Sequence, residues 1–296
     1  MHPPAEPLRL PFLPPLDGDA LLAYFAARAT PGTEVVSLDE RRYARSVSVE
    51  GHAGVLALGV DGTSVIATLS ASLHPVRTPL EARLRRLLDL DADPAPIVAH
   101  LGADPVLAPI VARRPGLRVP GCLDGFELAL RTVLGQQVSV RGATTLAGRL
   151  VRLLGEPLRI PHGTITHLPV TAARLADATV EQVARIGLPR ARAAALVSFA
   201  RAVAEGALPE LERDATAHDV GASVRRLRAL PGIGAWTASY VAMRAMRWAD
   251  AFPETDLVLR RAMGGITARA LRAHAERWRP WRAYAAQHLW SSGVAI

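Results

Sequence analysis

The stretch Leu230-Pro231-Gly232-Ile233-Gly234-Ala235-Trp236-Thr237-Ala238 constrains this chain more than any other. A Pro-Gly-x-Gly turn sits there between two helical patterns, roughly 221–230 and 235–248. Glycines strip side chains from the turn, so main-chain N–H groups can come close to an anion. The second helix starts at the turn, and its positive end faces the same anion. Arg225-Arg226-Leu227-Arg228 makes the preceding helix basic, and Thr237 places a hydroxyl in the first turn of the next. A plain Gly-terminated helix followed by another would give the same glycines, but these flanks favour a phosphate grip.

At 296 residues the chain has room for two or three modest domains, and half of it is hydrophobic, enough for a sizeable core. No apolar run approaches a membrane span. The start, Met1-His2-Pro3-Pro4-Ala5-Glu6-Pro7, lacks a charged region followed by an apolar one, so no signal peptide and a cytoplasmic location are expected. Cys122 is the only cysteine, which excludes an internal disulfide and an iron–sulfur cluster held by four cysteines. No Cys/His zinc spacing occurs, so no metal site is expected. The formal charge of +8 is carried by arginine alone and favours a polyanionic partner. The absence of lysine, with abundant Ala, Arg, Gly and Pro, also fits a GC-rich coding bias, so the net charge counts for more than the choice of arginine.

The pattern predicts an α+β chain. Residues 1–18 are Pro-rich and read as extended, and Asp19 to Arg28 as a short helix. Period-two stretches at 43–49, 55–60 and 64–69 then read as strands, with Asp61-Gly62 a hairpin signal. A helix over 79–90 completes a small antiparallel sheet domain at residues 1–88. From Asp91 onward helical patterns of about ten to fifteen residues dominate, punctuated by Pro and Gly. Residues 89–296 are therefore expected to be mostly α-helical, with 156–170 an irregular Pro/Thr-rich link.

Trp236 and Tyr240 share a helix face at i, i+4. Alone, such a pair fits core packing; beside the phosphate turn it also fits a wall on which an extruded base stacks. Asp256 follows Trp236 by twenty residues and opens a helical run at Leu257-Val258-Leu259. An N-cap role is ordinary for Asp, and an acid there is favoured as an anion, the form that would stabilise a cationic sugar. Asp250 and Glu254 are its neighbours in sequence, Asp250 reading as structural at the end of the preceding helix. Trp278, Trp281, Tyr284 and Trp290 cluster near the C-terminus with His288, and some of them must be core. His288 reads as a hydrogen-bonded core histidine. In Leu134-Gly135-Gln136-Gln137-Val138-Ser139 a helix ends at Gly135 and polar side chains project. That turn is either a connector or a wedge that fills a vacated base stack.

Taken together the chain resembles the helix-hairpin-helix DNA glycosylases, and among them the bacterial 3-methyladenine DNA glycosylase II, AlkA type. Beyond the hairpin the resemblance rests on Phe25-Ala26-Ala27-Arg28-Ala29, Tyr43-Ala44-Arg45-Ser46, Arg114-Pro115-Gly116-Leu117-Arg118-Val119-Pro120-Gly121, Val133-Leu134-Gly135-Gln136 and Ala275-Glu276-Arg277-Trp278-Arg279-Pro280-Trp281-Arg282. It implies an N-terminal α+β domain and two helical subdomains flanking a lesion cleft, with the hairpin at about 221–248 and a catalytic segment at 250–265. It implies Asp256 as the catalytic acid and a base pocket of Trp236, Tyr240, Trp290 and Tyr24. It also implies DNA contacts at Gly232, Gly234 and Thr237, and a wedge at Gln137. A monovalent cation can bridge hairpin and phosphate in this family, and no cofactor is required. Trp236 stands where the lyase members carry a lysine. The best-known family members carry leucine at the wedge and an aromatic residue after the catalytic acid, whereas this chain has Gln137 and Leu257, which implies a pocket that is either wider or less able to stack on a cationic base. The expected function is monofunctional excision of alkylated bases from duplex DNA by a monomer, without strand cleavage. The alternatives are a glycosylase for another lesion class, such as deaminated purines, and a non-catalytic lesion-sensing or DNA-binding protein.

Overall fold

The computed structural model describes residues 6–208, 211 and 220–292; the first five residues of the Pro-rich stretch expected to be extended lie outside them. The N-terminal part is a five-stranded antiparallel sheet in the order β1-β5-β4-β3-β2. Its strands are β1 (Leu8–Pro11), β2 (Glu34–Ser37), β3 (Arg42–Val49), β4 (His52–Asp61) and β5 (Ser64–Leu69). Helix α1 (Gly18–Arg28) links β1 to β2, and α2 (Arg77–Leu88) follows the sheet. The β3–β4 hairpin turns at Glu50 and Gly51, with φ of 49° and 80°. Two successive positive φ values make the tight turn that matches strand twist.

Three strands were legible as period-two runs; β1 and β2 are four residues each and lie at the two edges. In β3 the alternation does not separate core from solvent, because both faces are covered. Tyr43 and Val47 face the core of Leu10, Phe25, Leu56, Leu80 and Leu84. On the opposite face Ala44 packs with Ala57 and Ile165, and the Ser46 hydroxyl donates to the His167 carbonyl at 2.6 Å. That cover is a second, two-stranded sheet, β6 (Pro157–His162) with β7 (Ile165–His167). The segment 156–170 is therefore a hairpin rather than an irregular link: Gly163, at φ 58°, makes a turn that its Pro/Thr-rich flanks obscure.

The helical part comprises α3 (Pro94–Leu101), α4 (Ala108–Arg113), α5 (Gly125–Leu134), α6 (Val140–Leu154), α7 (Ala172–Ala176), α8 (Val180–Ala184), α9 (Arg190–Ala204), α10 (Val220–Ala229), α11 (Ala235–Arg244), α12 (Leu257–Ala262), α13 (Ala268–Ala275) and α14 (Arg282–Ser291). Their starts follow local chemistry. Asp93, Asp124, Ser139, Thr171, Thr179, Asp256 and Thr267 each accept a main-chain N–H of the first turn, the bond that makes Asp, Ser and Thr good N-caps. One continuous core joins these helices through residues such as Phe126, Phe199, Leu227, Val241 and Trp278. Among the described residues no helix is long and apolar enough to cross a membrane.

Helix α1 stands between the two parts. It packs on β2 and β3 of the sheet and on α6 of the helical part. Below it Arg45 reaches Glu34 of β2 at 3.3 Å and Glu127 of α5 at 2.7 Å. This buried ion network fixes the sheet on the helical part, and so fixes where α1 delivers Tyr24.

Candidate active site

The turn between α10 and α11 places Gly232 at φ 80°, a conformation open to glycine and strained for other residues. Gly234 has an ordinary φ of −84°. A Cβ at Gly234 would meet nothing within 4 Å, so its bareness keeps an outer face clear rather than permitting a backbone shape. Gly234 is also the N-cap of α11 and makes no side-chain cap bond. The first-turn N–H groups are thus left to an external acceptor. Ile233, 5% exposed, pins the turn to the core.

Gln136 braces this turn from the end of α5. Its Nε2 donates to the Gly232 carbonyl at 2.8 Å and to the Thr237 hydroxyl at 2.9 Å. Thr237 is 2% exposed, and its hydroxyl accepts from Gln136. The family resemblance implies a wedge at Gln137 of the same turn and assigns no role to Gln136. Gln137 is exposed, with φ 59°, and lies beside the exposed Val138 and Val140. The α5–α6 turn thus sends one glutamine inward as a brace and the next outward into solvent.

Asp256 is the N-cap of α12, and its Oδ1 accepts the Leu259 N–H at 2.9 Å. Its carboxylate also accepts two indole N–H groups, Trp236 Nε1 at 2.7 Å on Oδ2 and Trp290 Nε1 at 3.2 Å on Oδ1. Three donors on two oxygens suit a carboxylate, which only accepts. Asp256 is 9% exposed, at the edge of the aromatic cluster. Of its neighbours in sequence, Asp250 is ion-paired with Arg282 at 2.7 Å and Arg279 at 3.0 Å, the structural role expected of it. Glu254 pairs with Arg272.

The four residues expected to form a base pocket come together. Trp236 and Tyr240 are stacked, with ring centroids 5.1 Å apart. Trp290 lies tilted at 6.0 Å from Tyr240. Tyr24 arrives from α1, its hydroxyl 3.0 Å from that of Tyr240. The other aromatic residues of the C-terminal cluster lie elsewhere. Trp278 is buried and donates to Asp104 at 2.9 Å, and Tyr284 donates to Asp89 at 2.6 Å. His288 is buried as expected, but its Nδ1 has no hydrogen-bond partner. Burial, with Arg114 adding to it, pushes its pKa down to about 4, so the ring is neutral.

One residue of the site went unnoticed in the sequence. Arg244, 1% exposed, holds its guanidinium carbon 4.6 Å from the Tyr24 ring centroid, 5.1 Å from Tyr240 and 5.8 Å from Trp290. It donates to the Pro120 carbonyl at 2.9 Å and to Gln287 Oε1 at 2.8 Å, and it also hydrogen-bonds the Tyr240 hydroxyl. The signal was present: Trp236, Tyr240 and Arg244 recur at i, i+4, i+8, along one side of a helix. The cation splits the two phenols. Burial pushes Tyr24 up to about 12 against the pull of Arg244. In Tyr240 burial pushes the same way, but Arg244, Arg28 and hydrogen bonds from Tyr24 and Arg244 outweigh it and hold the group down at about 8.

Comparison with known proteins gives this arrangement a lineage. Residues 7–124 match the AlkA N-terminal domain, and residues 130–278 match the HhH-GPD superfamily base excision DNA repair protein. The chain is 40% identical over 293 residues to a probable bifunctional transcriptional activator/DNA repair enzyme AlkA of Mycobacterium tuberculosis, covering 96% of this chain and 56% of that protein. It thus spans little more than half of the mycobacterial relative. It is 38% identical over 280 residues to DNA-3-methyladenine glycosylase 2 of Escherichia coli, covering 94% of each. In fold it is similar to a 3-methyladenine DNA-glycosylase from Archaeoglobus fulgidus, with TM-score 0.79 and 21% identity over 95% of this chain and 96% of that one. The chain therefore belongs to the HhH-GPD superfamily of base excision DNA repair proteins, on the branch that carries the AlkA N-terminal domain.

Proposed function

We propose that this chain is a monofunctional DNA glycosylase that extrudes an alkylated base from duplex DNA and hydrolyses its bond to the sugar. The observation that carries the reading is the Asp256 carboxylate, fixed by the indoles of Trp236 and Trp290 at the edge of an aromatic pocket beside the hairpin. The hairpin would hold the backbone through main-chain N–H groups near Gly232, Gly234 and Thr237, which gives affinity without reading sequence. Gln137 would fill the gap in the stack. The flipped base would lie on Trp236 and Tyr240, with Trp290 and Tyr24 closing the pocket. A dissociating glycosidic bond leaves positive charge on the sugar, and Asp256 would stabilise it through a preorganised electrostatic contact. The monovalent cation implied by the family would sit against main-chain carbonyls of the turn, where it would offset phosphate charge; Gly232 O has a second lone pair free beside its bond from Gln136.

Strand cleavage by a lyase route needs an amine nucleophile. The chain has no lysine, and Trp236 occupies the position in question, so we propose hydrolysis alone. The test is base release from duplex oligonucleotides that each carry one defined lesion, together with borohydride trapping. Free alkylated base with no covalent adduct is the expected outcome. An adduct would overturn the monofunctional reading, and binding to every duplex without base release would replace the enzyme by a lesion-sensing protein.

A further inference from the structure

Arg244 is a buried cation in an unusual place. Among the described residues no carboxylate forms an ion pair with it; its partners Pro120 O and Gln287 Oε1 are uncharged, the Tyr240 hydroxyl carries charge only once ionised, and its Nε has no hydrogen-bond partner. A buried guanidinium ordinarily needs a paired charge. This one instead faces the rings of Tyr24, Tyr240 and Trp290. It also has a fixed relation to Asp256. Trp236, at the start of α11, donates to that carboxylate, and Arg244 ends the same helix eight residues later, about 12 Å along the axis. Asp256, Trp236, Tyr240 and Arg244 therefore follow one another along the aromatic cluster, with the carboxylate at one end and the guanidinium at the other; in the glycosylase reading these are the ends for sugar and base. Arg28, the other cation near Tyr24, is partly exposed and more strongly screened by water.

We propose that Arg244 is the electrostatic counterpart of Asp256, a positive charge behind the base that draws the electrons of the breaking glycosidic bond toward the leaving group. This rests on the glycosylase reading above. As the C1′–N bond breaks, its electron pair stays on the base nitrogen and positive charge grows on the sugar. Water adds to C1′ and gives up a proton. A cationic alkylated base leaves as a neutral molecule and the proton goes to solvent; a neutral base leaves with added negative charge and takes up a proton. Electron density moves from sugar to base in both cases. The same buried charge therefore favours both reactions, acting through rings in a low-dielectric interior where fields are weakly screened. A pocket built this way accepts lesions that differ in charge. It also identifies a cost: binding a cationic base against Arg244 is opposed in the ground state, and that opposition is relieved as the charge passes to the sugar.

The experiment measures single-turnover release at saturating enzyme from duplexes carrying N7-methylguanine, a cationic base, or hypoxanthine, a neutral one. Affinity for an uncleavable abasic-analogue duplex is measured alongside. Arg244→Gln is expected to slow release of both bases about 10–100-fold, below the 10²–10³ of a donor that touches the reacting atom directly. Affinity for the uncleavable duplex should stay within about threefold, and Arg244→Lys should recover most of the lost rate. Equal losses in the Lys and Gln variants, or a loss seen only in affinity, would make Arg244 a packing residue and overturn the proposal. Should the Arg244 variants not fold, Gln287→Glu sets a carboxylate against the guanidinium at nearly unchanged size. It must then slow release more than Gln287→Met, which removes the same bond without adding charge; equal rates would overturn the proposal. Release of neither base by the unaltered chain would remove the glycosylase reading itself, whereas release of both with Arg244→Gln at full rate would remove only the role of Arg244.

Discussion

Two buried arginines in this molecule have been treated in opposite ways. Arg45, 5% exposed, lies between sheet and helices with Glu34 at 3.3 Å and Glu127 at 2.7 Å, and Glu34 also accepts the Tyr43 hydroxyl at 2.5 Å. Arg244, 1% exposed, lies over the rings of Tyr24, Tyr240 and Trp290, donates to the Pro120 carbonyl and Gln287, and has no carboxylate in an ion pair with it among the described residues. A charge neutralised on the spot acts at short range and holds parts together. A charge left uncompensated in a dry interior projects a field. On the proposal above Arg45 serves assembly and Arg244 the reaction, and the contrast can be broken by experiment.

The largest expected effect is on stability. Arg45→Met leaves Glu34 and Glu127 buried without their cation, and breaking such a network by removing one partner costs about 3–5 kcal/mol. Thermal unfolding should show that loss, while the folded fraction releases base at close to the normal single-turnover rate. A chemical step slowed as much as in Arg244→Gln would show that burial, and not pairing, is what the two arginines have in common.

Two aspartates repeat the comparison at slightly lower cost. Asp256→Asn keeps the cap on Leu259, since Asn is as good an N-cap as Asp, but removes the negative charge. Release should fall by about 10²–10³-fold or more with lesion-DNA binding retained. Asp250→Asn weakens its pairing with Arg282 and Arg279 and should lower the melting temperature instead. Substantial release by folded Asp256→Asn would remove Asp256 from the mechanism.

Pocket and hairpin separate next. Trp236→Ala or Trp290→Ala removes a stacking surface worth about 1–3 kcal/mol, felt only once a base is flipped. Base release should fall while undamaged duplex binds nearly as before; unchanged release would make both tryptophans core. Gly232→Ala and Gly234→Ala should weaken damaged and undamaged duplex alike, because phosphate contacts carry no lesion information. The two glycines differ in stability. Alanine at Gly232 is strained at φ 80° and comes within 3.0 Å of Ala195 Cβ, whereas alanine at Gly234 meets nothing. A binding loss confined to damaged DNA would move these glycines out of the phosphate grip.

What was legible in the sequence was local. The Pro-Gly-x-Gly turn, the i, i+4 aromatic pair and Asp at a helix start declare themselves within a few residues. Strands β1 and β2 did not, because a four-residue edge strand takes its identity from a partner elsewhere in the chain. The β6–β7 hairpin was hidden for the same reason, its role being to cover a face of β3. Tyr24 was reachable only by family resemblance, since its partner Tyr240 lies 216 residues away. Gln136 and Gln137 are adjacent and alike in composition, and only the backbone at φ 59° decides which points inward. Arg244 was one arginine in a chain whose 35 basic residues are all arginine, and what distinguishes it from the equally buried Arg118 is its place over the rings of Tyr24, Tyr240 and Trp290.

The smallest effect tests the field of Arg244 by spectroscopy. Of the four tyrosines, Tyr43, Tyr284 and Tyr24 are pushed up by burial, whereas Tyr240 is held down at about 8. The groups facing its hydroxyl are Arg244 on its own helix, Tyr24 and Arg28 on α1, and Trp290 on α14. A single phenol should therefore ionise near pH 8 in phenolate absorbance and vanish in Tyr240→Phe. In Arg244→Gln it should move up toward the ordinary 10.0, because the largest opposing influence has gone. The sign for stability follows. A pKa lowered on folding contributes stability that is fully present above the unfolded value of 10.0 and is lost as pH falls through about 8. Tyr240 thus adds to stability between pH 8 and 10, and Tyr240→Phe should flatten the curve there. For the reaction the sign is opposite. A phenolate at Tyr240 cancels the neighbouring guanidinium, so single-turnover release should decline above pH 8 in the unaltered chain and lose that decline in Tyr240→Phe. A phenol that titrates at its ordinary position, or a decline that survives in Tyr240→Phe, would show that Arg244 does not set the electrostatics of this pocket.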